Sequence, residues 1–184
     1  MIQNNNHRLL GVDIDNVVSL SDPAIRESLR DLFGIRLEQE QINDYSYRKC
    51  GLSEEQELKL LETFYETICG QLDVLPGAVE ALNTLKQKYR IIIVTSRNPR
   101  VLDKTKDWLR LKNIPHDSLI FNKEKHRTEH KFDFFVEDSA EFAFDLAETG
   151  TRTFLFDYPW NRSLPSHPNI TRVSRWGEVL ERLI

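Results

Sequence analysis

Two aspartates interrupt the apolar stretch LGVDIDNVV at residues 10–18, where a single residue separates Asp13 from Asp15. Like charges held close together raise each other's pKa unless a cation or a proton lies between them. A carboxylate between Val12 and Ile14 in a buried strand is also costly if it has no partner. The pair therefore predicts a site at the end of a strand, where both carboxylates can serve a cation.

Other polar residues adjoin the ends of predicted strands further along the chain. They are Thr95, Ser96 and Arg97 after the run IIIV, Lys123 and Lys125 in the segment before FFVE, and Asp138 directly after it. Taken singly, Asp138 and Thr95 are typical of turns and helix caps, and the lysines of solvated charges. Parallel sheets bind ligands outside the carboxyl ends of their strands. Together with the two aspartates, these residues therefore predict a site for Mg²⁺ and a phosphate.

Apolar runs alternate with amphipathic stretches along the chain. Short β-branched or aromatic runs predict strands at residues 8–14, 90–95, 118–121, 133–137 and 152–156. Capping residues and amphipathic periodicity predict helices that begin at Ser21 and Ser53 and that cover residues 78–89, 99–111, 139–149 and 175–182. This alternation predicts an α/β fold, a three-layer, Rossmann-like parallel sheet with right-handed crossovers.

Residues 20–75 are mostly helical by pattern and separate the first predicted strand from the second. The segment is too long for a simple connection, so we expect a helical cap inserted over the sheet. The core domain then consists of residues 1–19 and 76–184. Aromatic residues of the cap suit either stacking on a base or the cap's own core, and both interpretations stay open at this point. They are Phe33, Tyr45, Tyr47, Phe64 and Tyr65.

The composition is that of an ordinary globular protein of 184 residues, with 25 Lys and Arg, 29 Asp and Glu, and a net charge of −4. Nucleic-acid-binding proteins carry a basic face, which this balance argues against. No stretch approaches the length of a membrane span, and residues 1–10 lack the apolar core of a signal peptide. Cys50 and Cys69 lack metal-ligand spacing and fit reduced thiols. We expect a cytoplasmic protein without nucleic-acid or membrane partners.

The order of these motifs resembles the haloacid dehalogenase (HAD) superfamily. The matching motifs are DID at 13–15, IIIVTS with Thr95, a following lysine, and FFVED closing on Asp138. Finer matches resemble the branch that holds nucleotidases and 5'(3')-deoxyribonucleotidases. They are PGA at 76–78, TSRN at 95–98, WL at 108–109, VED at 136–138 and YPWNR at 158–162. The resemblance covers nearly the whole chain and implies a HAD fold and a Mg²⁺-dependent phosphomonoester hydrolase.

The resemblance implies that Asp13 attacks phosphorus and forms an aspartyl-phosphate. It also implies Mg²⁺ ligands in the Asp13 carboxylate, the backbone carbonyl of Asp15 and Asp138. Asp15 is implied as the acid and base, because an alkoxide leaving group needs a proton and the attacking water must lose one. A halide leaving group needs no such help. Asp15 therefore favours phosphate ester hydrolysis over dehalogenation.

The resemblance further implies a set of residues that hold the phosphate. Thr95 is expected to donate its hydroxyl to a phosphoryl oxygen, and Ser96 and Arg97 are expected to contact the substrate. A lysine is expected to balance the negative charge of the nucleophile and the transferring group. Lys123 is preferred for this role because its spacing to the fourth strand matches the family pattern, and Lys125 is the alternative.

The predicted substrate is a small phosphate ester, a (deoxy)nucleoside monophosphate, and the alternative is a sugar phosphate or another small phosphometabolite. A phospho-accepting signalling receiver would need an aspartate where the strand at 90–95 ends in threonine. A relative that binds ligand without turnover is a further alternative, although every motif residue is present. Asn16 stands where the superfamily often has glycine, and asparagine tolerates a left-handed backbone better than most residues.

Overall fold

The computed structural model of the protein describes residues 8–184. The predictions for residues 1–7, namely their place in the core and the lack of a signal peptide, lie outside the described residues. The strands are β1 (Arg8–Val12), β2 (Tyr89–Thr95), β3 (Ser118–Phe121), β4 (Phe134–Glu137), β5 (Arg152–Phe156) and β6 (Ile170–Val173). The α-helices are α1 (Ser21–Phe33), α2 (Glu54–Thr63), α3 (Ala78–Leu85), α4 (Leu102–Leu111), α5 (Ala140–Glu148) and α6 (Trp176–Leu183). None of these helices is long and apolar enough to cross a membrane.

The six strands form one sheet in the order β3-β2-β1-β4-β5-β6, and every neighbouring pair is parallel. The predicted α/β class with a parallel sheet is therefore confirmed. β1 lies between β2 and β4, with Gly11 opposite Ile92 on one side and Phe135 on the other. The carboxyl ends of the three strands that carry the predicted polar residues are consequently neighbours at one edge of the sheet.

Several observed elements differ from the predicted ones; helix α3, for example, ends at Leu85 rather than at residue 89. β1 ends at Val12, so that Asp13 lies just beyond the strand rather than within it. The helix that follows Ser53 continues from α2 into a π-helix at Phe64–Ile68. The edge strand β6 was not predicted, because its sequence ITRV is short, only partly buried and without strong alternation.

The sheet is packed closely where β1 meets β4. A Cβ atom added to Gly11 would lie 2.2 Å from Cδ2 of Phe135, a distance that real Cβ contacts do not show. Phe135 is fully buried and meets the ring of Phe132 edge-on at 5.2 Å. Glycine at position 11 therefore lets an aromatic ring lie directly over the central strand.

The chain enters and leaves the cap at adjacent points. The N–H of Leu20 donates to the carbonyl of Asp73 at 2.8 Å, and the N–H of Leu75 donates to the carbonyl of Val18 at 2.8 Å. Within the cap, Leu29, Leu52 and Leu60 form a small hydrophobic cluster of their own. The division into a core and a cap at residues 20–75 stays a prediction, which these contacts support.

Helix α4 of the core holds the segment by which the chain returns from the cap. The Lys104 ammonium donates to the carbonyls of Tyr65 and Glu66, which belong to the π-helix. The indole N–H of Trp108 donates to the carbonyl of Leu72 at 2.8 Å. Lys104 thus bonds carbonyls of the π-helix, and Trp108 bonds the chain four residues beyond its end.

Candidate active site

Asp13 directly follows the central strand β1, at the carboxyl end of the sheet. It is buried there, with only 3% of its surface exposed. Its N–H donates to the carbonyl of Val136 at 3.0 Å, which continues the pairing of β1 with β4 by one residue. Its carboxylate oxygen Oδ1 lies 2.7 Å from the Nζ of Lys125. The backbone of the sheet and a buried lysine therefore fix the position of this carboxylate.

The lysine that contacts Asp13 is Lys125, and the preference for Lys123 is corrected accordingly. Lys125 begins a single 3-10 turn, is 1% exposed and also lies 2.8 Å from Oε2 of Glu137. Lys123 is exposed to solvent, two residues before that turn. The family spacing pointed to a helix that starts at residue 123, whereas the turn that aims a lysine at the sheet edge starts at 125. The structure thus brings Lys125 to the site and leaves Lys123 outside it.

Glu137 ends β4, and both of its carboxylate oxygens are occupied. Oε2 accepts from Lys125, and Oε1 accepts the backbone N–H groups of Asp138 at 3.2 Å and Ser139 at 3.1 Å. Because its oxygens are used in this way, Glu137 orients the lysine and the turn after β4.

Asp138 is fully buried beyond the end of β4. Its Oδ2 accepts a hydrogen bond from Nδ2 of Asn16 at 3.1 Å, whereas its Oδ1 is buried and has no hydrogen-bond partner among residues 8–184. Burial raises the pKa of Asp138 well above its usual range, and the charges of Glu137 and Asp13 raise it further. An unpartnered buried carboxylate oxygen of this kind fits a cation, which would favour the ionised form.

Carboxylate oxygens of Asp13, Glu137 and Asp138 lie within 4.8 Å of one another. Burial raises the pKa of Asp13 to about 7; Lys125 opposes this rise, and the charges of Glu137 and Asp15 add to it. Glu137 already accepts from Lys125 and from two backbone N–H groups, so Asp13 and Asp138 are the side chains of this cluster with most capacity left for a divalent metal. Oxygen donors of this type suit a hard cation such as Mg²⁺.

Asp15 is held by an arginine through two parallel hydrogen bonds. Nε of Arg97 lies 2.8 Å from Oδ2 of Asp15, and Nη2 lies 2.7 Å from Oδ1. Ser21 also donates to Oδ1 at 2.5 Å. Burial raises the pKa of Asp15, but the charge and hydrogen bonds of Arg97 outweigh burial and hold the pKa below its usual value. In this arrangement Asp15 is therefore an ionised carboxylate.

Arg97 was predicted to contact the substrate, which stays a prediction; in the structure it lines the cavity described below and is paired with Asp15. Its guanidinium is almost fully buried, and its Nη1 donates to the carbonyl of Cys69 at 3.2 Å, where the chain returns from the cap. The preceding residues lie at the same edge of the sheet. Thr95 is buried at the end of β2, and Ser96 lines the adjoining cavity.

A cavity of about 520 Å³ lies between the cap and the carboxyl end of the sheet. Asp15, Ser96 and Arg97 contribute to its floor from the core. Its aromatic lining consists of Tyr45, Tyr47, Phe64, Tyr65 and Trp160. Four of the five cap aromatics named from the sequence thus face this cavity, and Phe33 packs instead against the hydrophobic cluster within the cap.

Sequence reasoning alone assigned no role to three residues near the site. Asn16 bonds Asp138, Trp160 lines the cavity, and Asn161 donates from Nδ2 to the carbonyls of Asp138 and Phe156, both at 2.7 Å. Trp160 and Asn161 belong to the run YPWNR, which the sequence marked as a family match. That match was the only available signal, because a contact between residues 138 and 161 depends on the fold.

Comparisons with known proteins agree with this geometry. Residues 7–184 match the family described as "5' nucleotidase, deoxy (Pyrimidine), cytosolic type C protein". The "Putative nucleotidase BH1399" of Halalkalibacterium halodurans is 33% identical over 176 residues, which are 92% of this chain and 89% of that protein.

Solved structures show the same fold at low sequence identity. A haloacid dehalogenase-like hydrolase from Streptococcus pneumoniae matches with a TM-score of 0.70 and 13% identity, over 97% of this chain and 99% of that one. A Bacillus subtilis protein described as the "putative HAD-hydrolase YfnB" and solved bound to magnesium matches with a TM-score of 0.61 and 14% identity, over 96% of this chain and 98% of that one. The family match spans nearly the whole chain, and the chain therefore belongs to the deoxy, cytosolic type C 5' nucleotidases, phosphoric monoester hydrolases of the HAD superfamily.

Proposed function

We propose that the protein is a Mg²⁺-dependent nucleotidase that removes phosphate from (deoxy)nucleoside monophosphates through an aspartyl-phosphate on Asp13. The observation that carries this proposal is the meeting of three groups at one edge of the sheet. Asp13 lies against Lys125, and Asp138, whose Oδ1 has no hydrogen-bond partner among the described residues, belongs to the same cluster of carboxylates. The Lys125 ammonium beside Asp13, together with a metal ion held by Asp138, would offset the negative charge of the Asp13 carboxylate. The carboxylate could then approach an anionic phosphate.

Asp13 and Asp138 would hold the metal with their side chains, and Asp15 with its backbone carbonyl. Bound Mg²⁺ supplies positive charge that offsets the repulsion between the Asp13 carboxylate and the phosphate. Lys125 supplies a second positive charge at Asp13 from the chain itself. Thr95, buried at the end of β2, donates its hydroxyl to a phosphoryl oxygen.

The reaction divides into two displacements at phosphorus. An oxygen of Asp13 forms a bond to phosphorus while the bond to the nucleoside oxygen breaks, and Asp15 gives that oxygen a proton. Water then attacks the aspartyl-phosphate, Asp15 takes a proton from it, and inorganic phosphate leaves. Because Arg97 keeps the pKa of Asp15 low, its hold on this carboxylate has to loosen before Asp15 carries the proton of the first step.

The cavity supports a nucleotide as the substrate. Flat aromatic rings provide stacking surfaces for a base, and Tyr45, Tyr47, Tyr65 and Trp160 bring such rings to its lining. The phosphate would lie at the sheet edge and the nucleoside towards the cap. A sugar phosphate is the alternative substrate, since it would use the same phosphate site without the aromatic lining. A cytoplasmic location and the absence of nucleic-acid partners stay predictions from composition.

Phosphate release from a panel of ribo- and deoxyribonucleoside monophosphates and sugar phosphates tests the proposal. We expect release from nucleotides only with Mg²⁺, loss of release on addition of EDTA, and none from Asp13→Asn. Asp103→Asn changes an exposed aspartate of α4 and serves as the matched control. We expect its rate of phosphate release to equal that of the native protein. Turnover by Asp13→Asn, or release that is indifferent to Mg²⁺, would contradict the mechanism. Release from sugar phosphates alone would assign the alternative substrate class.

A further inference from the structure

Asn16 occupies the bend that follows Asp15 with a left-handed backbone, at a φ of 57°. Glycine adopts this conformation at less cost than any residue with a side chain. Besides glycines, Asn113 is the only other residue in the described part of the chain with a positive φ, at 53°. A residue that is kept in this conformation with its side chain hydrogen-bonded to other groups indicates a use for that side chain.

Both ends of the Asn16 amide are paired. Nδ2 donates to Oδ2 of Asp138 at 3.1 Å, and Oδ1 accepts the backbone N–H of Asp22 at 2.7 Å. An amide is the smallest side chain that offers a donor and an acceptor in one rigid plane. The hydroxyl of Tyr158 also donates to the backbone carbonyl of Asn16 at 3.0 Å, which fixes the bend from a third direction.

At Asp138 the amide determines which oxygen is free. Oδ2 is occupied by Asn16, and Oδ1 is the buried oxygen without a hydrogen-bond partner among the described residues. A carboxylate that is held through one oxygen presents the other in a fixed direction, as residues behind a metal ligand commonly do. Asn16 therefore holds Asp138, a member of the carboxylate cluster that includes Asp13, through Oδ2 and leaves Oδ1 open to a cation.

At the cap, the same amide accepts a hydrogen bond from the first turn of helix α1. Helix α1 begins after Leu20, whose side chain cannot accept a hydrogen bond, so the first backbone N–H groups need another partner. Oδ1 of Asn16 accepts from Asp22, the second residue of the helix, and so supplies a cap from outside it. One side chain thus contacts both the carboxylate of Asp138 and the first turn of the cap.

We propose that Asn16 is a positioning residue that couples divalent cation binding at Asp138 to the first turn of helix α1. This inference rests on the proposed function only for the presence of a cation at Asp138. A cation that holds Oδ1 fixes the carboxylate, the carboxylate fixes the amide, and the amide fixes the N–H of Asp22. Because such coupling is reciprocal, an ordered first turn of the cap in turn favours the cation.

Calorimetric titration with MgCl₂ in the absence of substrate tests the first half of this coupling. Asn16→Gly keeps the backbone conformation and removes the amide, and we expect it to bind Mg²⁺ about tenfold more weakly than the native protein. Asn113→Gly makes the same exchange at an exposed residue with the same left-handed backbone, so its affinity should equal that of the native protein. Equal affinities of Asn16→Gly and the native protein would overturn the inference.

Hydrogen exchange of the backbone amides of Ser21, Asp22, Ala24 and Ile25 tests the second half. We expect Mg²⁺ to slow this exchange in the native protein and in Asn113→Gly, and to leave it unchanged in Asn16→Gly at saturating Mg²⁺. Slowing of the same size in Asn16→Gly would overturn the coupling. If Asn16→Gly does not fold, Asn16→Ser, whose side chain is too short to reach both partners, takes its place with the same outcomes.

These measurements separate the inference from the proposed function, because neither uses turnover. A native protein that binds no Mg²⁺ would overturn both. A native protein that binds Mg²⁺ and hydrolyses nucleotides, together with unchanged binding in Asn16→Gly, would overturn the role of Asn16 alone.

Discussion

Each charged residue at the sheet edge has a definite partner, and those partners limit what the residue can do. Asp13 and Glu137 share the ammonium of Lys125, which is as buried as they are. Removing one member of such a group leaves the other charges buried without compensation. The lysine is therefore the residue whose loss should affect Asp13 most directly.

Lys125→Met should reduce the rate of phosphate release at least 100-fold, because methionine fills the space of the lysine stem but leaves Asp13 and Glu137 without a positive charge. Lys123→Met is the matched control and should leave the rate within about twofold, since Lys123 is exposed and lies outside the site. Steady-state rates at saturating Mg²⁺ distinguish the two. A larger loss in Lys123→Met than in Lys125→Met would return the role to Lys123.

The buried pair of Asp15 and Arg97 should dominate the stability of this region. Arg97→Met leaves an ionised carboxylate buried without its partner, and we expect the free energy of unfolding to fall by about 3 kcal/mol. Asp15→Asn in the same chain removes that charge, so the double variant should be more stable than Arg97→Met alone. Urea unfolding of the two single variants and the double variant measures this. Strictly additive losses would show that the two side chains do not interact.

Sequence reasoning correctly placed the residues at strand ends or directly after them. Asp13, Thr95 and Asp138 lie at adjacent carboxyl ends because the order of a parallel sheet brings those ends together. It failed where a contact depends on a side chain's direction in a short turn, as at Lys125, or on residues far apart in the chain, as between Asn16 and Asp138. The catalytic and metal-binding roles of Asp13, Thr95 and Asp138 stay predictions.

Among the elements, patterned segments were predicted well, including the short strand β3, whereas β6 and the π-helix were not predicted. The continuous run IIIV identified β2, because a strand covered on both faces has no polar alternation to obscure it. β6 has four residues at the sheet edge, and only Val173 is buried. The π-helix carries no recognisable pattern, since it extends an ordinary helix by widening its last turn.

Gly11→Ala should destabilise the sheet, because the new methyl group would lie in the space of the Phe135 ring. We expect the free energy of unfolding to fall by about 2 kcal/mol, the usual cost of overpacking a core. Gly177→Ala is the control: its methyl group would meet only the mobile end of Arg175, and its effect should stay within about 0.5 kcal/mol. Thermal and urea unfolding measure both, and equal effects would contradict the close approach.

The whole molecule should respond to pH through the carboxylates that fit the metal. Folding raises the pKa of Asp13 from 3.8 to about 7, so the folded chain keeps a proton that the unfolded chain releases. Without a metal, the stability that this proton confers is fully present below pH 3.8 and is lost as pH rises towards 7. We expect the free energy of unfolding to fall by roughly 2 kcal/mol between pH 5.5 and 7.5 in EDTA.

Mg²⁺ binds the ionised form, so 10 mM MgCl₂ should reduce this fall and raise the melting temperature at pH 7.5. Asp13→Asn has no carboxyl group to titrate at this position and should show a flatter profile in EDTA. A profile of the native protein that rises with pH over this range would contradict the raised pKa of Asp13.

The paired entry and exit of the cap make the insertion replaceable. Val18 and Leu20 bond to Leu75 and Asp73, so the inserted segment is a loop whose ends already touch. The entropic cost of closing such a loop grows only with the logarithm of its length. A change in the length of the segment should therefore cost the sheet little, provided that the side chains it contributes to the main core, such as Phe64 and Leu72, are kept.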